Sequence, residues 1–365
     1  MTELTQIDDF DKIINSGIPL LDTRAPIEYK NGAFPNTSNL PLMNDSEREL
    51  VGTCYKNNGK EMAIELGYEL VNGEIKDSRI NDWLYFIKNN PSGALYCFRG
   101  GMRSEIVQKW IFEYSGKDYP RVKGGYKALR RYLIDETSRV IKKTIPILLG
   151  GKTGSGKTIL LNKINNKVDL EALANHRGSA FGNNITPQPT QIDFENKIGY
   201  ELVKKQSFIN LVFEDEGSNI GNIQIPKCIQ ERTSLADMIL LDESIDNRIA
   251  VSLNEYVIGM CNNFINQDNE NGFDNFSDYW LQSINKIKKR LGLERYKEML
   301  VLVNQALSSY KKDNKLDGFY VVIEKLLTGY YDPMYEYQIK RKQDRIVFAG
   351  NSDEVLDYFS DLSIS

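Results

Sequence analysis

Residues Leu148–Leu161 read LLGGKTGSGKTILL, an apolar run that ends in glycines and resumes as a helix pattern. Gly151, Gly156, Lys157 and Thr158 fill the pattern G-x-x-x-x-G-K-[ST], with Gly154 and Ser155 inside it. In such a phosphate-binding loop the glycines let successive backbone N–H groups face one anion. The lysine adds a positive charge, the threonine hydroxyl can hold magnesium, and the next helix presents its positive end. The flanks agree, because Thr144–Leu149 (TIPILL) has the composition of a buried strand and Thr158–Ile164 starts a helix. A turn that merely joined strand to helix would not need both Lys157 and Thr158. The loop predicts phosphate binding and leaves open a nucleotide, a diphosphate-bearing small molecule or a nucleic-acid phosphate.

Downstream, Phe208–Phe213 (FINLVF) reads as a strand that ends in Glu214, Asp215 and Glu216. Acids at that place can order a magnesium ion; three compete here, and a solvated acidic turn is an equal reading. Ala174–Gly182 (ANHRGSAFG) is a polar loop whose His176 and Arg177 join those acids as a candidate site of the P-loop domain. Thr186–Glu195 (TPQPTQIDFE) reads as turn-rich. Met238–Leu241 is strand-like, and residues 250 to 330 are mainly helical, as Tyr296, Met299, Leu300 and Val303 illustrate by their spacing. The basic run Ile287–Lys297 reads most simply as a solvated helix face. Arg345–Phe348 and Asn351–Phe359 close the pattern as a strand and a helix.

Upstream, residues 1–135 alternate short apolar runs with helical patterns, so the fold class is α/β in both halves. The charged run Asp135–Lys143 reads as the connection, which gives an N-terminal domain at 1–135, a linker at 136–143 and a P-loop domain at 144–365. Cys97–Ser104, CFRGGMRS, is the second stretch with chemistry in it. A short strand, Ala94–Tyr96, delivers Cys97 into a loop with Arg99, Gly100, Gly101 and Arg103, and a helix pattern follows at Ser104–Tyr114. Two arginines and a helix N-terminus favour a thiolate there and make the loop an anion site. Cys54, Cys228 and Cys261 lack that setting and read as structural.

Composition narrows the remaining classes. The four cysteines are dispersed, with no C-x-x-C pair and no secretory leader in MTELTQIDDF, which points away from disulfides and a zinc ribbon and towards the cytoplasm. His176 is the only histidine, so mechanisms that need two are excluded. A net charge of −4 confines any nucleic-acid contact to local basic clusters. Arg121, Lys123, Lys127, Arg130, Arg131, Lys142 and Lys143, near the junction, are the expected backbone contacts. No apolar stretch is long enough to span a bilayer.

The first half resembles a rhodanese domain through Asp22, Arg24, Pro26 and Glu28, the Cys97 loop, and Val122, Gly124 and Gly125 in RVKGGYKAL. More specific strings lie along the whole chain: NDSERELVGTCYKNNGKEMAIELG, YCFRGGMRS, GGKTGSGKT, LANHRGSAFG, PQPTQIDFE and FEDEGSNIG. With these the chain resembles the tRNA 2-selenouridine synthase family. The resemblance implies a transferase that replaces the sulfur of 2-thiouridine at the tRNA wobble position by selenium from selenophosphate. It also implies an S-geranylated intermediate made from geranyl diphosphate. On it, Cys97 serves selenation, Arg99 and Arg103 hold the selenophosphate anion, and the anticodon loop of tRNA is the partner. No cofactor is obligatory, with magnesium an optional ion, and oligomeric state is not fixed by the sequence. The alternatives are a nucleotide-dependent kinase or ATPase with a rhodanese sulfurtransferase or regulatory domain and, disfavoured by two complete anion sites, a non-catalytic tRNA-binding module.

Overall fold

The computed structural model describes residues 4–364. The chain forms two compact units: one holds the residues up to Val140 together with Thr190–Ser207, and the other holds Ile141–Pro189 with the residues from Phe208 onward.

In the first unit β1 (Gln6–Ile7), β2 (Leu20–Asp22), β3 (Thr37–Asn39), β4 (Ala94–Tyr96) and β5 (Arg121–Val122) form a parallel sheet in the order β1-β5-β4-β2-β3. All three residues of β2 and of β4 are buried, as expected for strands with helices on both faces. Their alternation separates two cores. Leu20, Ala94 and Tyr96 join Ile13, Val122 and Leu129 on one face, while Leu21 and Leu95 join Trp83, Val107 and Trp110 on the other.

Two elements differ from the sequence expectation. The chain passes from one unit to the other within residues 136–143, after Val140, but this connection is formed by the last turns of the helix Gly125–Lys143 and is not a separate segment. The stretch read as turn-rich becomes helical from Gln191, capped by the Thr190 hydroxyl, and this helix (Gln191–Lys204) belongs to the first unit. Its Val203 enters the Ile13 core, Asp193 accepts from the Ala33 N–H at 2.7 Å, and the Asn196 amide bonds the Ala33 carbonyl at 2.7 Å. Two prolines before Thr190 explain the misleading signal, because they mark the turn that precedes the cap.

In the second unit β6 (Ile145–Gly151), β7 (Lys167–Val168), β8 (Asn210–Glu214), β11 (Asp237–Leu241) and β12 (Ile346–Gly350) form a parallel sheet in the order β12-β11-β6-β8-β7. A small antiparallel hairpin, β9 (Asn219–Ile220) with β10 (Ile223–Gln224), lies outside it. Central β6 is buried from Pro146 to Gly151, and its carboxyl end runs into the phosphate-binding loop. Helices then run from Ile245 to Arg341 around their own core, with Phe276, Trp280, Val303 and Phe319 fully buried. Two stretches of this helical run, Leu253–Gly259 and Leu327–Tyr331, are wound as π-helix. Such bulges often occur at functional sites. Among the described residues no helix is long and apolar enough to cross a membrane.

Candidate active site

Cys97 leaves the carboxyl end of β4, the central strand of its sheet, and is 3% exposed. The Ser104 hydroxyl donates to its sulfur at 3.1 Å. The loop is pinned from three directions: the Tyr126 N–H reaches the Cys97 carbonyl at 2.9 Å, the Lys127 N–H reaches that of Phe98 at 2.9 Å, and the Arg121 guanidinium reaches that of Gly100 at 2.6 Å. Gly125 must be glycine. Its φ is +59°, and a Cβ there would lie 2.2 Å from the Cys97 carbonyl oxygen.

The two arginines of this loop behave differently. Arg103 forms a two-pronged pair with Glu28, its longer arm 3.0 Å. Burial opposes its charge, yet the Glu28 carboxylate prevails and raises the Arg103 pKa. Arg99 is exposed, lies 5.9 Å from the Phe98 ring centroid, and has no carboxylate partner among the described residues. Behind the loop, Asp22 and Arg24 form a buried pair at 2.6 Å, and the Arg24 guanidinium stacks 3.9 Å from the Tyr126 ring centroid.

In the second unit the loop after β6 opens on a cavity of about 820 Å³. Gly154 (φ +77°) approaches the backbone so closely that a Cβ would lie 2.7 Å from the Arg248 carbonyl. The buried Arg248 buttresses the loop, donating to the Thr153 carbonyl at 3.0 Å and pairing with Asp332 through two bonds of 3.0 and 2.6 Å. Lys157 donates to the Gly151 carbonyl at 3.1 Å. Burial works against its ammonium, but Tyr335, Glu171, Glu216 and Glu214 together hold its pKa above that of an ordinary lysine.

The acids opposite Lys157 are raised as well, which for a carboxyl favours the neutral form. Burial, reinforced by Glu214 and Glu216, pushes Glu171 up to about 10, and burial with Asp169 close by pushes Glu214 up to about 8. Burial likewise raises Glu216. Burial, with Lys286 nearby, lowers the His176 pKa, and its Nδ1 accepts from the Gly178 N–H at 3.1 Å. Arg177 Nη1 and Ser155 Oγ are buried without a hydrogen-bond partner, an arrangement that favours a ligand which supplies one. Arg177, Lys286 and Arg290 line the cavity with Lys157, while Tyr256, Tyr330, Tyr331 and Met334 give it an apolar side. Among the described residues, no three His, Cys, Asp or Glu side chains converge on one metal position.

The comparisons with known proteins cover both units. The family described as tRNA 2-selenouridine synthase AAA domain matches residues 144–364. A tRNA 2-selenouridine synthase of Sulfurovum sp. (strain NBC37-1) is 47% identical over 97% of this chain and 98% of its own. The chain belongs to the tRNA 2-selenouridine synthase family. It is accordingly a tRNA-modifying transferase. Proteins of that name from Photobacterium profundum (47% identical; 96% of this chain, 97% of its own) and Pseudomonas syringae pv. syringae (46%; 97% and 98%) agree. The solved N-terminal domain of a protein described as ATP/GTP-binding, from Clostridium difficile 630, aligns with 36% of this chain and 99% of its own. Its identity is 28% and its TM-score 0.31, too loose to bear on the fold.

Within this family member the structure sorts the expected site residues. Gly151 opens the phosphate-binding loop at the end of β6, and Gly154, Ser155, Gly156, Lys157, Thr158, His176, Arg177, Asp215 and Glu216 share one cavity. Of the three acids after β8, Asp215 is held by Lys342 at 2.6 Å, Glu214 is buried beside the loop, and Glu216 faces Lys157. Glu171, Glu255, Lys286 and Arg290 line the same cavity and were not singled out in the sequence. The four-residue spacing of Lys286 and Arg290 puts both on one helix face, which was the available signal. Glu171 gave none.

The basic residues expected to touch tRNA do not form one set. Arg121 holds the Cys97 loop, and Arg130 is bound to Asn196 (2.8 Å) and Glu195 (2.6 Å), because both face the body of the first unit. Lys123 and Arg131 carry exposed partners, Asp8 and Asp135, while Lys127, Lys142 and Lys143 are exposed.

Proposed function

We propose that the chain converts wobble 2-thiouridine in a tRNA anticodon loop to 2-selenouridine in two steps, from geranyl diphosphate and selenophosphate. In the first, the thiocarbonyl sulfur attacks the first carbon of the geranyl group. The carbon–oxygen bond breaks, pyrophosphate leaves with the electron pair, and the base gives up its N3 proton. The backbone N–H groups of Gly154–Thr158 and the Lys157 ammonium take up the charge that develops on the leaving group. In the second, the selenium of selenophosphate attacks C2 and the carbon–sulfur bond breaks. Geranylthiolate leaves and is protonated, and water removes the phosphoryl group from selenium as phosphate. Cys97 acts here as an anchor beside the selenium species without bonding to it, with Arg99 next to it in the chain for the anion. The position of Cys97 at the end of a central parallel strand supports the rhodanese reading of the first unit. The base is unstacked to be reached, as a single-stranded loop permits.

The observation that carries this reading is the second unit's cavity, where Lys157, Arg177, Lys286 and Arg290 suit a diphosphate and the tyrosines with Met334 suit an apolar chain. Nucleoside mass spectrometry on 2-thiouridine tRNA with both donors tests it. The wild type yields 2-selenouridine, Cys97→Ala stops at the S-geranyl base, and Lys157→Ala loses about 10²–10³ in S-geranyl formation. A wild-type chain that leaves 2-thiouridine intact with both donors refutes the proposal.

A further inference from the structure

The first unit contains a second cavity, of about 450 Å³, that no part of the proposed chemistry has yet used. That volume lies within the ~300–1,000 Å³ usual for small-molecule sites. Its walls include Leu42, Met43, Val51, Ile64, Ile106 and Trp110, with the buried Ala63 among them. Met102 and Arg103, from the first turn of the helix that follows the Cys97 loop, also line it, so the cavity adjoins that loop. Arg103 and Lys60 are its only cations.

The far wall is a helical hairpin, Asp45–Asn58 and Lys60–Leu70, turning at Gly59 with φ +88°. The hairpin buries very little: Glu47 is the buried residue of its first helix and Ala63 of its second. Leu50, Tyr55, Met62 and Tyr68 are large apolar side chains left exposed on it. It is held at its base by the Arg79–Glu47 pair, with bonds of 2.9 and 2.8 Å, and by the Asn44–Glu47 capping box. Of its exposed side chains, Tyr55 and Tyr68 line the cavity, so the hairpin adds exposed aromatic surface to its wall, as interaction sites do.

We infer that this cavity holds the geranyl chain of the S-geranylated wobble base during selenation, and so retains the leaving group beside Cys97. The inference rests on the two-step reading above. The occupant follows from the walls: apart from Lys60, Arg103 and the two tyrosine hydroxyls the lining is apolar, so most polar edges of a base or sugar would be left unsatisfied, whereas a ten-carbon prenyl chain has none. The diphosphate-bearing donor does not fit as well here as in the second unit, because Arg103 is already paired with Glu28. The chain thus meets a cationic cavity while it carries diphosphate and an apolar one once it is attached to sulfur. In the step itself selenium forms its bond to C2 as the C2–S bond breaks, and the sulfur leaves with its electron pair on the chain that the cavity grips.

The test uses the full chain, selenophosphate, and two RNA substrates carrying S-geranyl- or S-methyl-2-thiouridine. Wild type is expected to favour the geranyl substrate in kcat/KM on the order of 100-fold, mainly through KM. Ala63→Phe, which projects a ring into the cavity from its wall, and Ile64→Glu, which makes a wall polar, should each reduce that ratio about tenfold or more. Because each variant is its own reference, loss of active fraction cancels from the ratio. An unchanged ratio in either variant overturns the inference. Independently, geranylthiol titrated into the wild-type chain should quench tryptophan emission through Trp110 and bind about tenfold more weakly to Ala63→Phe; no binding overturns the inference even if neither variant folds. A wild type that binds geranylthiol yet selenates neither RNA leaves the cavity assigned and refutes the two-step function instead.

Discussion

The two units place their reactive loops alike and equip them differently. Each has a five-stranded parallel sheet, each loop leaves the carboxyl end of the central strand, and each is backed by an arginine–aspartate pair whose arginine is buried. That is the position where open α/β sheets bind ligands. Around Cys97 the neighbouring cavity is largely apolar, and Arg103, which lines it, is already paired with Glu28. Around Lys157 the cavity holds four cations and several protonatable carboxyls. The difference teaches that the scaffold fixes where chemistry occurs, and the side chains lining the adjacent cavity fix which chemistry it is.

The comparison can be broken most forcefully at the ion pairs. Asp332→Ala leaves the buried Arg248 guanidinium uncompensated behind the phosphate-binding loop, at an expected cost of about 3–5 kcal/mol. Denaturant unfolding should show that loss in the second unit while S-geranyl formation falls. If the loss is below ~1 kcal/mol, Arg248 is not the buttress that the geometry indicates.

A smaller effect should separate the units by pH. The Glu214 carboxyl lies at about 8 in the folded chain against an ordinary 4.5, so the folded state binds that proton more tightly than the unfolded state does. Its contribution to stability is therefore fullest at low pH and declines as pH rises from about 5 to 8, and Glu171 adds to the decline. Glu214→Gln removes the charge and keeps the shape. Its melting temperature should exceed that of the wild type by a few degrees at pH 8 and converge with it near pH 5. Parallel wild-type and variant curves would show that Glu214 is ionised in both states.

The smallest effect concerns the exposed bases. Neutralising Lys123, Lys127 and Arg131 together should leave stability within about 0.5 kcal/mol and reduce the slope of tRNA affinity against salt by roughly 2 to 3. Titrations at several salt concentrations check this, and an unchanged slope removes these residues from the RNA surface.

Much of this was legible in the chain. LLGGKTGSGKTILL announced β6 and its loop because a phosphate-binding loop is a local arrangement, specified by residues adjacent in sequence. The Cys97 loop was legible for the same reason. What the sequence hid depends on contacts between distant residues. Nothing near Glu171 reveals that it will face Glu214 and Glu216, and nothing near Arg121 or Arg130 reveals that their charges are engaged inside the first unit. The helix Gln191–Lys204 was concealed doubly, by the prolines before it and by its destination.

That helix also sets an order of events at the ribosome. The first unit takes Phe34 and Tyr200 into edge-to-face contact, 5.9 Å between ring centroids, yet these residues are separated by the whole phosphate-binding loop in the chain. An N-terminal domain usually completes its fold before the next one emerges. Here the sheet that carries Cys97 waits, with one side of its core uncovered, until residue 207 has been translated, so the Cys97 loop gains its full support only after the phosphate-binding loop has been made.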